Sequence, residues 1–245
     1  MAREFIAWRS EKRAGESVFI GEAAGVKAYF GCGPRFGEPH AVSRLEAFLE
    51  SIEDLKAIRC GIQVHGNLIA SLSEEPRSPF EGVAEVGRCD GMITDTPGLG
   101  LALWTADCVP VLMSGGGVVA AVHAGWRGIA AGIHSRAVRR FFIEYGVVAS
   151  ELQVFLGPSV GPCHYEVGAE VIKALGAEGV SPEFWLEGRR VHLRGLLKTS
   201  FEALGVDPDA IELFGPCTAC DENYASYRRD HAEAGRQFSI IALRG

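Results

Sequence analysis

Long hydrophobic runs are missing from this sequence. No stretch approaches the roughly 20 apolar residues that a membrane helix needs, and the opening Met1-Ala2-Arg3-Glu4-Phe5-Ile6-Ala7-Trp8-Arg9 lacks a secretory apolar core. Neither a membrane span nor a cleaved leader is expected, and the expected location is the cytoplasm. Positive charge is also in short supply. Lys and Arg number 24 against 31 Asp and Glu, for a formal net charge of -7. That argues against a general electrostatic grip on nucleic acid or an anionic membrane, though a local basic pocket is still compatible with it. Cysteine is sparse and odd in number: seven residues at 32, 60, 89, 108, 163, 217 and 220. Scattered in this way they do not make a secreted disulfide framework, and reduced thiols are expected. No period of about 20–50 residues repeats and no segment has low complexity, which excludes a repeat array.

What remains is an ordinary globular composition, 47% hydrophobic over 245 residues. That is enough to bury a sizeable core, and one domain over 1–245 is expected. After an early strand region, the patterning predicts a helix near Ala41 to Ile52 and a short strand at Cys60 to Val64 that delivers His65. Residues Ser71 to Arg88, rich in Pro, Glu, Ser and Gly, read as a surface loop. Apolar runs follow at Gly100 to Thr105 and Val109 to Met113, the second too short and too β-branched for a helix, and Val118 to Val122 reads as a buried strand. Gly125 to Gly128 reads as a tight turn and Ile129 to Tyr145 as a helix with Ile129, Ile133, Ala137 and Phe141 on one face. A strand at Leu152 to Leu156, helices at Val167 to Leu175 and Leu193 to Leu204, and a closing strand at Phe238 to Leu243 complete the reading. Helix and strand do not alternate strictly, so mixed sheets in an α+β arrangement are expected.

Three short segments carry the chemistry: Gln63-Val64-His65-Gly66-Asn67, Thr105-Ala106-Asp107-Cys108-Val109-Pro110 and Val122-His123-Ala124-Gly125-Trp126-Arg127-Gly128. Two neutral imidazoles and a thiolate give zinc three protein ligands and leave the fourth position open, as in catalytic zinc sites. His65 and His123 each end an apolar run and enter a glycine-containing turn, and Asp107 stands beside Cys108 to orient a ligand or handle a proton. The bland alternative makes Cys108 a small buried hydrophobe. The strand-to-helix turn around Gly125 also suggests an anion site, with Arg127 as a planar fork for phosphate; its alternative is a structural pairing of Arg127 with a carboxylate. Cys217-Thr218-Ala219-Cys220 has no second C-x-x-C and no βαβ pattern beginning at it, so a local structural role is expected rather than half a zinc site or a redox motif. His164 is the reserve candidate for a fourth functional group. His134 reads as a packed helix residue.

The series QVHGN, CDGMITDTPGLGLALWTADCVPVLM, AAVHAGWRG, FLGPSVGPCHYEVG and CTACDENYASYRRDHAEAGR resembles the bacterial YfiH family, the laccase-domain or multicopper polyphenol oxidase-like proteins, from about Ile58 to the C-terminus. The resemblance implies zinc at His65, Cys108 and His123, and two mixed β-sheets packed together with helices on the outside. It implies purine nucleoside phosphorylase activity, cleaving adenosine, inosine or methylthioadenosine with phosphate, and a link to adenosine deamination. Asp107 and Arg127 are the catalytic candidates, with Arg44, Gly125 and Arg228 as substrate or phosphate contacts. The N-terminal part departs from the family: Phe30-Gly31-Cys32-Gly33-Pro34 stands where members carry Gly-Gly-Val-Ser, and Ser43-Arg44 replaces Asn-Arg, so a different substrate preference is expected. The expected partners are a small-molecule nucleoside and phosphate, and the oligomeric state is left open. Three rivals are weighed. One is a thiol or zinc amide hydrolase editing peptidoglycan precursors, with Cys108 as nucleophile and His123 as base. Another is a copper polyphenol oxidase, disfavoured because seven dispersed histidines do not supply a multicopper centre. The last is a metal-stabilised binding module without turnover.

Overall fold

The computed structural model describes residues 7–23, 25–33, 42–72 and 81–245. Strands β1 (Ala7–Arg13), β2 (Glu16–Ala23) and β3 (Val26–Gly31) form a meander, followed by helix α1 (Val42–Glu50). Strands β4 (Ala57–Ile62), β5 (Ile69–Ser71), β6 (Gly82–Arg88), β7 (Gly91–Thr94), β8 (Leu99–Thr105), β9 (Val109–Gly115) and β10 (Val118–Ala124) come next. Helices α2 (Trp126–Ala130) and α3 (Ile133–Tyr145) lead to β11 (Gln153–Leu156) and α4 (Ala169–Gly176). The chain ends with β12 (Leu186–Glu187), β13 (Arg190–Val191), α5 (Leu193–Ala203), β14 (Ile211–Leu213), α6 (Tyr227–Asp230) and β15 (Gln237–Leu243).

Among the described residues one sheet has seven strands in the order β1-β2-β3-β15-β8-β4-β6 and a second has six, β14-β11-β9-β10-β7-β5. Both are mixed, with β4 parallel to β6 and β8 in the first and β11 parallel to β14 and β5 to β7 in the second. This is the α+β architecture expected from the sequence. The side-chain period of a strand explains the layering. In β10, Val118, Ala120, Val122 and Ala124 pack on the helix side with Ile129, Ile133 and Phe141, whereas Val119 and Ala121 join Phe30, Leu101 and Leu112 between the sheets. Covered on both faces, the strand reads as an unbroken apolar run rather than an alternation. A third cluster of Leu45, Phe48, Ile58 and Trp104 places α1 outside the first sheet. No helix among the described residues is long and apolar enough to cross a membrane.

The structure revises several predicted elements. The predicted loop from Ser71 to Arg88 contains edge strand β6, which is hard to see because its GVAEVGR sequence leaves no residue fully buried. Residues 73–80 of that loop, Ala41 at the start of the predicted helix, Pro34, and residues 1–6 lie outside the described residues. In the predicted turn Gly125 is an extended N-cap and Trp126 to Gly128 are already helical, and the long helix is two pieces, α2 and α3, interrupted at Gly132 with φ 71°.

His134 on α3 is 2% exposed, with Nε2 3.2 Å from Glu178 Oε2 and no partner for Nδ1. Burial lowers its pKa to about 4 and raises that of Glu178. Desolvation outweighs the attraction of the carboxylate, because ionising both groups there would place two charges inside the core. A neutral imidazole donating Nε2–H to Glu178 therefore describes the pair. The unfolded chain takes up the His134 proton near pH 6.5, and the folded chain resists until about pH 4. Its contribution is complete above the unfolded value and lost as pH falls through that window, by about 3 kcal/mol. Urea unfolding at pH 7.5 and pH 4.5 is expected to show a smaller acid loss in His134→Gln than in the parent. Equal losses would show that His134 is not responsible.

Candidate metal centre

The site lies at one end of the interface between the sheets. β4 of the first sheet runs out into Gln63–Asn67, while β9 and β10 of the second bring Cys108 and His123 side by side. His123 pairs with Pro110 and Ala124 with Val109, so the next step of the same register sets Gly125 opposite Cys108. A Cβ on Gly125 would stand 2.9 Å from Cys108 Sγ and 3.2 Å from His65 Cδ2. Glycine at this position keeps the space among the three side chains clear. The donor atoms of His65, Cys108 and His123 lie within 4.8 Å of one another, and the two imidazoles meet edge-on, centroids 4.8 Å apart at 78°.

The organising residue is Asp90, which is fully buried. Its carboxylate accepts from His65 N–H at 2.8 Å, Gly66 N–H at 2.7 Å, Val64 N–H at 3.2 Å and His123 Nδ1–H at 2.9 Å. The chain around His65 can present three consecutive N–H groups because His65 adopts φ 60°, a left-handed conformation costing a branchless polar residue roughly 1–3 kcal/mol. Asp90 also receives His123 N–H on its own carbonyl at 2.7 Å. Binding Nδ1 of His123 fixes the tautomer and leaves Nε2 as the ligating nitrogen. Gln63 and Asn67 fasten the rest of the segment: Gln63 exchanges two bonds with the Trp104 backbone at 2.7 and 2.8 Å, and Asn67 donates to Ala131 O at 2.7 Å.

The electrostatics follow. Burial alone would raise the Asp90 carboxyl, but His123 and the Gly66 and Val64 N–H groups hold it below the usual range. Burial likewise opposes the Cys108 thiolate, yet His123 and His65 draw the thiol down to about 6. The same pairing pushes His123 up to about 9 against its burial. A thiolate, one imidazole locked through Nδ1, a second imidazole, and a glycine where a side chain would intrude make a donor set suited to a borderline divalent ion.

The trio opens into a cavity of about 590 Å³, within the roughly 300–1,000 Å³ typical of small-molecule sites. Trp104, Trp126, Tyr165 and Tyr227 give it aromatic walls, and Arg127, Arg228 and Arg236 give it cations. Arg127 stacks its guanidinium 4.3 Å over Trp126, and Arg228 lies 5.3 Å over Tyr165 while donating to Glu166 O at 2.6 Å.

Of the other sequence candidates, Asp107 lines the cavity with φ 83°. Its carboxylate accepts from Thr218 Oγ1 at 2.6 Å and from Arg228 N–H at 2.5 Å, so both oxygens are engaged within the protein. Arg44 is not in this cavity. It forks onto Glu16 at 2.6 and 2.7 Å, donates to Arg236 O at 2.7 Å and lies 5.4 Å over Trp104, bracing the cavity wall from behind. At the Gly125 turn α2 has five residues and so few aligned peptides for an end dipole. Arg127 of that turn, with Arg228 and Arg236, brings positive charge to the cavity. Asp90 and Arg236 escaped the sequence reading; the one available signal was a lone carboxylate inside the otherwise apolar Cys89-Asp90-Gly91-Met92-Ile93. The C-x-x-C pair is not isolated either, since Cys163 and His164 join Cys217 and Cys220 in a second group of donors.

The family model described as multi-copper polyphenol oxidoreductase laccase matches residues 27–244. The chain is 33% identical over 197 residues to a protein named purine nucleoside phosphorylase YlmD from Geobacillus stearothermophilus, covering 76% of this chain and 72% of that one. It is 36% identical over 190 residues to purine nucleoside phosphorylase YfiH from Shigella flexneri, covering 74% and 72%. Its fold is similar to the crystal structure of the hypothetical protein YfiH from Bacillus licheniformis, with a TM-score of 0.79, 26% identity, and 89% and 93% of the two chains covered.

Proposed function

Because the chain belongs to the multi-copper polyphenol oxidoreductase laccase family, with its YfiH and YlmD members, we propose that it is a zinc-dependent purine nucleoside phosphorylase. Inosine, adenosine and methylthioadenosine are its candidate substrates. The observation that carries this reading is the meeting, in one cavity of a chain with net charge -7, of a His-Cys-His donor set, three arginines and aromatic walls.

His65, Cys108 and His123 would hold the ion, and a zinc ion bound there supplies Lewis-acid polarisation of a substrate oxygen. The remaining work belongs to the side chains. Arg127, Arg228 and Arg236 neutralise and orient phosphate, whose oxygen forms the new bond to C1′ while the C1′–N9 bond breaks and its electron pair leaves with the purine. Trp126, Tyr165 and Tyr227 offer flat apolar faces to the base. Asp107 holds the Arg228 backbone, and through it the start of α6, against the cavity. Copper oxidase chemistry fits less well. Two histidines and one cysteine hold one ion rather than several.

A second reading has an observation of its own. Cys108, His123 and Asp90 stand in the order nucleophile, base and orienting carboxylate, with the thiol already drawn down to about 6, the pattern of a cysteine amide hydrolase. The deciding experiment is phosphate-dependent release of hypoxanthine from inosine by zinc-loaded protein. Ammonia release from adenosine in the same series reads out deamination. The phosphorylase reading expects release that needs phosphate and is lost on chelation. Amide cleavage that survives chelation, with no hypoxanthine released, would replace it with the thiol hydrolase.

A further inference from the structure

The cluster of Cys163, His164, Cys217 and Cys220 is a group of donors separate from the His65, Cys108 and His123 centre. Cys163 and His164 come from the loop after β11, and the other two from the segment after β14. His164 Nδ1 lies 3.4 Å from Cys163 Sγ, 3.3 Å from Cys220 Sγ and 3.8 Å from Cys217 Sγ, and Cys163 Sγ is 3.5 Å from Cys220 Sγ. A tetrahedral ion with Zn–S of about 2.3 Å and Zn–N of about 2.0–2.1 Å has ligand-to-ligand edges of about 3.5–3.8 Å. Four of the six ligand-to-ligand distances thus lie near those edges, and all the ligand atoms are within 4.8 Å of one another. We infer that Cys163, His164, Cys217 and Cys220 form a second, structural zinc site of the Cys₃His type.

Two further features support a thiolate site. The N–H of Gly161 donates to Cys217 Sγ at 3.1 Å, and the backbone N–H groups of Ala219 and Cys220 also reach that sulfur. Such bonds stabilise a ligating thiolate and fold the C-x-x-C turn around it. A Cβ on Gly161 would come within 3.1 Å of Cys217 Cβ and 3.3 Å of Cys163 Sγ, so the thiols have room to converge only beside a glycine. The four protein ligands close the coordination sphere, which marks a structural rather than a catalytic site. Its place gives it a task. The loop carrying Cys163 continues into Tyr165 and Glu166, and the segment carrying Cys220 continues into Tyr227 and Arg228, so one ion would clamp two walls of the cavity together. The bridge between Ser159 and Cys217, the Thr218 N–H to Ser159 O bond at 3.1 Å and the Arg228 bond to Glu166 O at 2.6 Å already tie these segments together, and an ion would add a clamp at the cluster itself.

The test is zinc per chain by mass spectrometry on reduced, zinc-equilibrated protein, with Cys108→Ala, Cys163→Ser and Cys220→Ser alongside. Two equivalents in the parent and one in each variant are expected. Cobalt-substituted Cys108→Ala should retain the visible spectrum of a tetrahedral, thiolate-rich site, which Cys220→Ser in that background removes. One equivalent in the parent, lost in Cys108→Ala and kept in the other two, would overturn the inference. So would a Cys163–Cys220 disulfide in protein purified without oxidant, counted from the free thiols after denaturation. These readouts do not depend on turnover, so they stand whether or not the phosphorylase assay succeeds.

Discussion

Cys108→Ala is expected to lower kcat/KM for inosine phosphorolysis by at least about 10³-fold, a loss of about 4 kcal/mol in transition-state stabilisation. The substitution removes the one anionic donor of the trio and leaves His65 and His123 as two neutral ligands. The alanine methyl fits without strain, because Cys108 is half-buried at the cavity wall and Gly125 opposite it carries no side chain. Thermal stability of the metal-free protein should therefore change little, which separates loss of the centre from loss of the fold. Cys108→His sharpens the result. Three imidazoles restore a three-ligand set known to suit catalytic zinc, so partial activity should return with bound metal if the sulfur serves as a ligand. A sulfur nucleophile would leave this variant as inactive as alanine. Turnover in Cys108→Ala within about tenfold of the parent would remove the centre from the reaction.

Asp90→Asn should weaken zinc binding by about 10–100-fold, the usual effect of losing the carboxylate behind a ligating histidine. Here the effect has two routes. The amide has one accepting oxygen where the carboxylate has two, so its NH₂ must face one of the N–H groups of Val64, His65 or Gly66, or the Nδ1–H of His123. One route frees the His123 tautomer, and the other loosens the left-handed backbone at His65. Burial of an unpaired donor costs a further 1–3 kcal/mol or so, seen as a lower melting temperature. Calorimetric zinc titration reads the affinity at the binding step that Cys108→Ala abolishes. Binding within twofold of the parent would mean that Asp90 supports the fold without tuning the ligands.

Much of the arrangement was legible in the sequence because it rests on local rules. The all-apolar run of β10 follows from burial on both faces, and the amphipathic faces of α3 and α5 follow from the helical period. The short, polar elements were not legible. β6 is an edge strand with neither face fully buried, and the interruption between α2 and α3 turns on a single glycine conformation. Asp107 illustrates the limit of reading neighbours: beside Cys108 in sequence it suggests proton chemistry, yet its oxygens are turned toward Thr218 and the Arg228 backbone. Arg44 suggests a substrate contact and instead braces Trp104 through a stack and Glu16 through a fork.

The sequence by itself determined the donor types, the strands that deliver them and the α+β class, since side-chain chemistry and residue periodicity are properties of short stretches, while the packing of two sheets came only as what the family resemblance implies. The sequence grouped His65, Cys108 and His123 as candidate ligands; only the tertiary structure decided how they are held and that Cys163 and His164 join Cys217 and Cys220. His65 reaches Cys108 and His123 because β4 of one sheet ends over β9 and β10 of the other, with Asp90 spanning the gap. The second cluster forms because loops separated by 57 residues between Cys163 and Cys220 meet at the same end of the molecule. Convergence of that kind depends on how the sheets pack, and packing is set by the summed burial of the whole core rather than by the spacing within any one motif.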